Sequence, residues 1–273
     1  MHEIDDYSNR FSGIQRLVSV KGAEVLRKSH IAVIGVGGVG SWVVEALART
    51  GIGQITMVDL DEVCINNTNR QLHALDGEVG KAKVDSLKER IVKINPACQV
   101  NAIQDFFTER NAEELLSMGF DYVVDAIDSV NHKCLLLYLC RRKKIPVISC
   151  GGAGGRIDPT KVAVKDFSRT HDDPLLAKVR KELRQKYNFP KNPQRRFRIE
   201  CVYSWEEQMY PASDGSVCKV KDDDENLRLD CESGYGTASF LTGTFGFIMA
   251  SRVIIKLLAR YEREEQAKLT EES

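Results

Sequence analysis

The sequence predicts an α/β fold of the Rossmann-like kind: a mostly parallel, doubly wound sheet with helices on both faces, plus a C-terminal β/helix extension. Three observations carry this expectation. Short apolar runs alternate with longer amphipathic stretches through the first half of the chain. A glycine run, Gly35-Val36-Gly37-Gly38-Val39-Gly40, joins the first strand-like run to the first long helical one. An acid, Asp59, closes the second strand-like run, where such folds place a carboxylate against a ribose.

Each element has its own signal. The arm from Asp5 to Lys28 spaces Leu17, Val18, Val25 and Leu26 among charges and reads as helix. The apolar runs Ile31–Ile34, Ile55–Val58, Val100–Ile103, Tyr122–Val124 and Val147–Ser149 read as strands. Ser41–Arg49, Lys81–Ile94, Ala112–Met118 and Asn131–Lys143 read as the helices between them. Beyond Pro146 the alternation lapses. Val162–Phe167 reads as a strand, the span from about Asp172 to Arg198 as a basic loop holding one helix, and Phe240–Arg263 as a final helix, apolar first and charged later. Residues 1–155 form the expected nucleotide-binding region, and residues 156–273 a substrate-binding and dimerisation region continuous with it.

The chain has 273 residues, long enough to bury a sizeable core, and its 39 basic and 39 acidic side chains cancel, so no global field attracts nucleic acid. Neutrality conceals a local excess: Lys178 to Arg198 holds nine Lys/Arg and one acid, Glu182. With the aromatics Tyr187, Phe189 and Phe197, the candidates Arg195, Arg196 and Arg198 suit an RNA backbone and an unpaired base, but from the residues alone a solvated charged loop is the better reading, and only the resemblance below favours RNA. The eight cysteines include no C-x-x-C pair, which argues against a zinc ribbon; without a signal peptide they read as reduced thiols of a cytoplasmic protein. The uncharged stretch from Ser233 to Ser251 has the length of a membrane span, but its glycines and hydroxyl side chains make a buried helix the better expectation.

The glycine run is a phosphate site. Glycines admit close approach of the backbone to an anion, and the following helix presents unpaired N–H groups. Gly35, Gly37, Gly38 and Gly40 are its candidate residues, with Asp59, nineteen residues past Gly40, as ribose ligand. NAD and ATP both use these features. The next motifs favour ATP. Asp61 and the run Asn66-Asn67-Thr68-Asn69-Arg70-Gln71 suit cleavage between the α- and β-phosphates, with Arg70 the candidate to stabilise the leaving pyrophosphate and Asn66 and Asn69 to orient the arginine or a phosphate; an Asn-rich turn before a helix is the alternative. In Gly80-Lys81-Ala82-Lys83, a lysine in the first helical turn opposes the helix dipole and is better explained by a phosphate; Lys83 is the candidate, Lys81 the alternative. Asp128 follows the strand Tyr122–Val124 at its carboxyl end, where a carboxylate facing phosphates makes sense as a Mg²⁺ ligand.

Taken in order, G-x-G-G-x-G, D-x-D with N-x-x-N-R-Q, G-x-x-K and D-x-x-D resemble the ubiquitin-activating-enzyme superfamily. Within it, the segments Asn69-Arg-Gln-Leu-His-Ala-Leu, Asp125-Ala-Ile-Asp-Ser-Val, Cys150-Gly-Gly-Ala-Gly-Gly-Arg-Ile-Asp-Pro-Thr and Gly243-Thr-Phe-Gly-Phe are similar to the tRNA threonylcarbamoyladenosine dehydratase family, nearly end to end. The resemblance implies one continuous ThiF-type domain. It implies ATP and Mg²⁺ as cofactors, a tRNA substrate whose modified carboxylate is adenylated and then cyclised, and catalytic Arg70, Lys83 and Asp128. The apolar C-terminal helix and the N-terminal arm point to a two-fold homodimer, and the resemblance admits a cysteine desulfurase or sulfur-acceptor system as partner. Activation of a ubiquitin-like sulfur-carrier tail is the alternative, but those relatives carry zinc C-x-x-C pairs and a second arginine where this chain has Gly13. Thioester-forming members also use a cysteine, which makes Cys231 the candidate reactive thiol; a cyclisation whose nucleophile lies in the same substrate needs none.

Overall fold

A computed structural model describes residues 6–212, 214–219 and 235–271. Helices α1 (Asp6–Arg10) and α2 (Ser12–Lys28, kinked at Ser19) lead into β1 (His30–Ile34), α3 (Gly40–Arg49), β2 (Gln54–Val58), α4 (Lys83–Ile94), β3 (Gln99–Ile103), α5 (Ala112–Leu116), β4 (Tyr122–Asp125), α6 (Val130–Lys143) and β5 (Val147–Cys150). The second half adds β6 (Val162–Asp166), α7 (Pro174–Lys186), β7 (Glu200–Ser204), the small hairpin β8 (Tyr210–Pro211) and β9 (Val217–Cys218), and the long α8 (Ser239–Glu271).

The main sheet runs β3-β2-β1-β4-β5-β7-β6, parallel except for β6, which pairs antiparallel with β7. Alternation along β1 shows how the layers arise. Ile31 and Val33 enter one core with α3, α4 and α8, whereas Ala32 and Ile34 enter a second core with α5, α6 and α7. Strand order reverses between β1 and β4, and the carboxyl ends of those strands open the crevice in which such sheets bind ligands.

The expected β-α alternation is present, with strand boundaries shifted by a residue. The structure adds what periodicity did not show. β7 inserts between β5 and β6, its core positions filled by Cys201, Val202 and Tyr203. The basic span contains α7, started by Asp173, whose Oδ1 accepts from Leu176 N at 2.9 Å with Pro174 in the first turn. The last helix continues past Arg263 to Glu271. It is the one helix among the described residues long and apolar enough to cross a membrane; half of that apolar window is buried, and α3 is its main packing partner. The seven cysteines among the described residues are all free.

Beneath the crevice lies an ion pair with both side chains buried. Lys133 Nζ sits 2.9 Å from Asp125 Oδ2 and donates to the Ile127 carbonyl at 2.8 Å, while Ser149 Oγ donates to the same carboxylate oxygen at 2.6 Å. Burial alone would push the Lys133 ammonium toward neutrality; the adjoining Asp125 carboxylate more than offsets it and holds the lysine above its ordinary value. Removing one partner strands the other charge in a dry interior. Lys133→Met is therefore expected to lower stability by about 3–5 kcal/mol. The double variant Lys133→Met/Asp125→Leu should recover most of that loss, both read from urea midpoints.

Candidate functional site

The crevice is a cavity of about 530 Å³. Its floor is the glycine turn between β1 and α3. Gly35 has φ +85°, and a Cβ there would lie 2.8 Å from the Ala126 carbonyl oxygen. A Cβ on Gly40 would overlap the Gly35 carbonyl, so these two glycines close the turn upon itself and upon β4. Gly37 and Gly38 line the cavity together with Gly35. Asp59 ties the turn to β2: its Oδ2 accepts from Val36 N at 2.8 Å and its Oδ1 from Asp61 N at 2.9 Å. Burial raises the Asp59 carboxyl above its ordinary value, against the pull of the Lys83 charge and the two N–H bonds.

Two cations reach the cavity from the β2–α4 connection, Arg70 from within it and Lys83 as the first residue of α4. An antiparallel bridge between Glu62 and Ala82, with Lys83 N donating to Asp61 O at 3.0 Å, brings Lys83 beside the end of β2. Its side chain is 7% exposed and its Nζ lies 2.8 Å from Asp61 Oδ2. Lys81 points away, pairing with Glu78 at 2.9 Å outside the cavity. Arg70 donates to the Asn66 carbonyl at 2.6 Å and to Asn69 Oδ1 at 3.0 Å. Its own carbonyl accepts from Trp42 Nε1 at 3.1 Å and from Thr242 Oγ1 at 3.2 Å, which fastens the arginine loop to α3 and α8.

Asp128, exposed, stands on the turn after β4 that Lys133 holds from below. The opposite wall is the glycine-rich loop Gly151–Gly154 with Leu175. A buried arginine organises that loop. Arg156 donates to the carbonyls of Gly152, Glu206 at 3.0 Å and Asp172 at 2.6 Å, while Gly152 N donates to Asp173 Oδ2 at 2.9 Å. His132 and Phe106, stacked with centroids 6.1 Å apart, stand at the rim.

Thus Gly35, Gly37, Gly38, Asp59, Asp61, Arg70, Lys83 and Asp128 meet in one cavity. Gly40 and Asn69 do not line it: Gly40 supports the turn, and Asn69 spans Arg70 and the Thr237 carbonyl, to which it donates at 2.9 Å. The sequence reading missed Lys133, whose signal is a lysine opening an apolar helical run just after D-x-x-D. It also missed the wall at Gly151–Gly154 and His73. The last is 2% exposed with neither ring nitrogen bonded among the described residues, its pKa pushed down to about 4 by burial and then by the Lys83 charge.

In the basic segment Arg195, Arg196 and Arg198 are exposed as expected, but the aromatic half of that expectation is wrong. Phe189 packs with Phe197 in the second core, centroids 4.9 Å apart, and Tyr187 packs against Tyr138. An apolar ring beside a charge run is as easily a core anchor as a stacking platform. Cys231 lies outside the described residues.

The chain matches the ThiF family over residues 10–271. It is 48% identical over 261 residues to tRNA threonylcarbamoyladenosine dehydratase of Escherichia coli (strain K12), covering 95% of this chain and 97% of that one. A solved structure of E. coli tRNA N6-threonylcarbamoyladenosine dehydratase in complex with ATP superposes with a TM-score of 0.85 at 43% identity, covering 95% of this chain and 98% of the other. Molybdopterin-synthase adenylyltransferase of Salmonella typhimurium (strain LT2) is 32% identical over 145 residues, 53% of this chain and 57% of that one.

Two glycine substitutions separate folding from ligand contact. Gly35→Ala should destabilise the protein by about 1–3 kcal/mol, because a left-handed φ and a carbonyl both oppose the methyl. At Gly37 the nearest atom to an added Cβ is Gln71 Nε2 at 3.8 Å, so Gly37→Ala should change stability by no more than about 0.5 kcal/mol. Thermal unfolding of both variants against wild type checks the contrast.

Proposed function

The chain belongs to the ThiF family, and from that premise we propose that it is an ATP-dependent tRNA threonylcarbamoyladenosine dehydratase, which closes the threonylcarbamoyl group of the adenosine beside the anticodon into a ring. One observation carries the reading: glycine turn, Asp59, Arg70, Lys83 and Asp128 converge on one cavity, in a chain similar along almost its whole length to a protein of that name.

In the proposed reaction a carboxylate oxygen of the substrate attacks the α-phosphorus of ATP and pyrophosphate leaves. The acyl-adenylate is then attacked at its carbonyl by an atom of the same carbamoyl group, and AMP departs with the carboxylate oxygen. The nucleoside loses one water, and ATP becomes AMP and pyrophosphate. Gly37 and Gly38 let phosphate approach the backbone, and Asp59 receives the ribose hydroxyls. Arg70 and Lys83, held in place before any ligand arrives, offset charge developing on the phosphates. Because the nucleophile belongs to the substrate, ring closure needs no enzyme thiol.

The cavity also gathers the carboxylates of Asp61, Glu62, Asp105 and Asp128, which disfavour a bare polyphosphate. A Mg²⁺ carried with the nucleotide fits this donor set, since that ion takes one or two carboxylates plus phosphate oxygens; Asp128 is the residue that would hold it. When bound, the ion supplies charge neutralisation across the phosphates.

The exposed Arg195, Arg196 and Arg198 are proposed to meet tRNA phosphates. The chain is proposed to work in the cytoplasm, with α8 as a core helix. A homodimer is proposed because Phe240, Phe247 and Ile255 expose an apolar stripe, spaced by seven and eight residues, along α8.

The direct test supplies ATP and tRNA bearing threonylcarbamoyladenosine. Loss of one water from that nucleoside, with stoichiometric pyrophosphate, is expected by mass spectrometry. Pyrophosphate release with a ubiquitin-like protein tail and none with tRNA would instead support the adenylyltransferase alternative. Arg70→Ala and Lys83→Ala should each lower kcat/KM for tRNA roughly 10²-fold or more, whereas Lys81→Ala, outside the cavity, should stay near wild type. Asp128→Asn should fold normally and fail to turn over at any Mg²⁺ concentration. Arg195→Glu/Arg196→Glu should weaken tRNA binding and flatten its dependence on salt, because fewer counterions are released, with ATP affinity unchanged. Light scattering at micromolar concentration should report twice the chain mass.

A further inference from the structure

A second cavity, of about 620 Å³, adjoins the nucleotide cavity across a thin wall. Asp173 and Pro174 line the second cavity and Leu175 the first; Gly152, whose N–H bonds Asp173, lines the first as well. Trp205, just past β7, faces the second cavity with 48% of its surface exposed. Its indole N–H has no hydrogen bond among the described residues, and Lys161 Nζ lies 5.5 Å from its ring centroid. Lys161 occupies part of this large, half-exposed ring, and the rest of its surface can take a stacking partner. Tyr210 adds a second ring.

Polar groups here are arranged for a neutral planar ligand. Gln208 donates from Nε2 to the Gly154 carbonyl at 3.0 Å, and its Oε1 is buried with no partner, an acceptor left over beside the cavity. Arg180, half-buried, donates to Thr170 Oγ1 and retains further N–H groups. The three carboxylates of the wall are committed elsewhere. Asp173 caps α7 and binds Gly152 N, Asp172 pairs with His171 at 2.8 Å, and Glu207 pairs with Lys219 at 2.9 Å. Against these three carboxylates the lining sets the cations Arg180 and Lys219, which leaves no excess positive charge to hold a phosphate, so an uncharged base is favoured over an anion.

We propose that this second cavity is a subsite for one unpaired RNA base next to the reacting nucleotide, stacked on Trp205 and bonded by Arg180 and Gln208. This rests on the dehydratase reading above. The reacting nucleotide presents its carboxylate to the nucleotide cavity, and the neighbouring base of the same loop turns across the wall into the second.

The test uses the intact protein, ATP and a synthetic anticodon stem-loop bearing threonylcarbamoyladenosine. Trp205→Ala should raise KM for the stem-loop roughly tenfold or more, the scale of one lost stacking contact, with kcat and KM for ATP within about twofold of wild type. Trp205→Phe should restore most of the binding. Stem-loop binding should quench tryptophan fluorescence in wild type and leave the remaining Trp42 emission of Trp205→Phe unchanged. An abasic nucleotide on one side of the reacting position should cost wild type as much as Trp205→Ala does, and should cost Trp205→Ala nothing more. An unchanged KM in Trp205→Ala, or abasic losses that multiply with it on both sides, overturns the subsite while the dehydratase reading stands. Failure of wild type to remove water from the stem-loop overturns both.

Discussion

The Lys133–Asp125 ion pair is the constraint on which the rest of the site depends. Asp125 ends β4 and Lys133 begins α6, and neither side chain reaches solvent. With Ser149 and the Ile127 carbonyl completing their bonds, the turn between strand and helix has one low-energy arrangement. Asp128 stands on that turn. The Ala126 carbonyl, on the same turn, lies where a side chain at Gly35 would go, so the glycine turn is shaped against it. A buried charge pair is a poor source of stability compared with apolar packing. Here it sets the position of two adjoining turns, each carrying a part of the same cavity.

Much of this was readable in the residues. Short β-branched runs separated by amphipathic stretches give the parallel sheet, because a strand buried on both faces must be apolar throughout and its crossover helix only on one side. Glycines at 35 and 40 are demanded by backbone geometry that no other residue satisfies, which is why that motif survives translation from sequence to structure. The choice between Lys81 and Lys83 was not readable. It is decided by the bridge between Glu62 and Ala82, a contact between residues twenty positions apart that leaves no periodic trace.

Other parts were hidden for different reasons. β7 lies in a chain stretch without regular alternation, and its place between β5 and β6 follows from where the sheet needs a strand. Arg156 reads as an ordinary surface arginine after a glycine loop. Its side chain is buried because three backbone carbonyls and the nearby Asp173 carboxylate satisfy it. Phe189 and Phe197 were misread because composition cannot tell which side of a basic segment faces the core. The structure turns both rings inward, with Arg141 over Phe189 and Arg184 over Phe197, so those cations shield the core edge and the three distal arginines remain outside.

The free protein's cations explain why the cavity is ready before a ligand enters. A lysine and an arginine left bare beside a cavity would explore many rotamers, and ordering them on binding would offset part of the affinity. Instead Lys83 rests on Asp61, and Arg70 on the Asn66 carbonyl and Asn69. In the proposed reaction phosphate oxygens would replace or share partners that already fix the geometry, the preorganisation that electrostatic catalysis requires. His73 completes the arrangement by staying neutral. A protonated imidazole there would add a charge beside Lys83, and burial together with the Lys83 charge outweighs the pull of Glu78 and holds its pKa down to about 4. Arg70 is held by Asn66 and Asn69 beside it, and Lys83 by Asp61 across the Glu62–Ala82 bridge, while Trp42 and Thr242 hold the Arg70 backbone. Because Thr242 belongs to α8, the far end of the chain helps to place an arginine near its beginning, so the C-terminal helix is part of the site's construction as well as of the core.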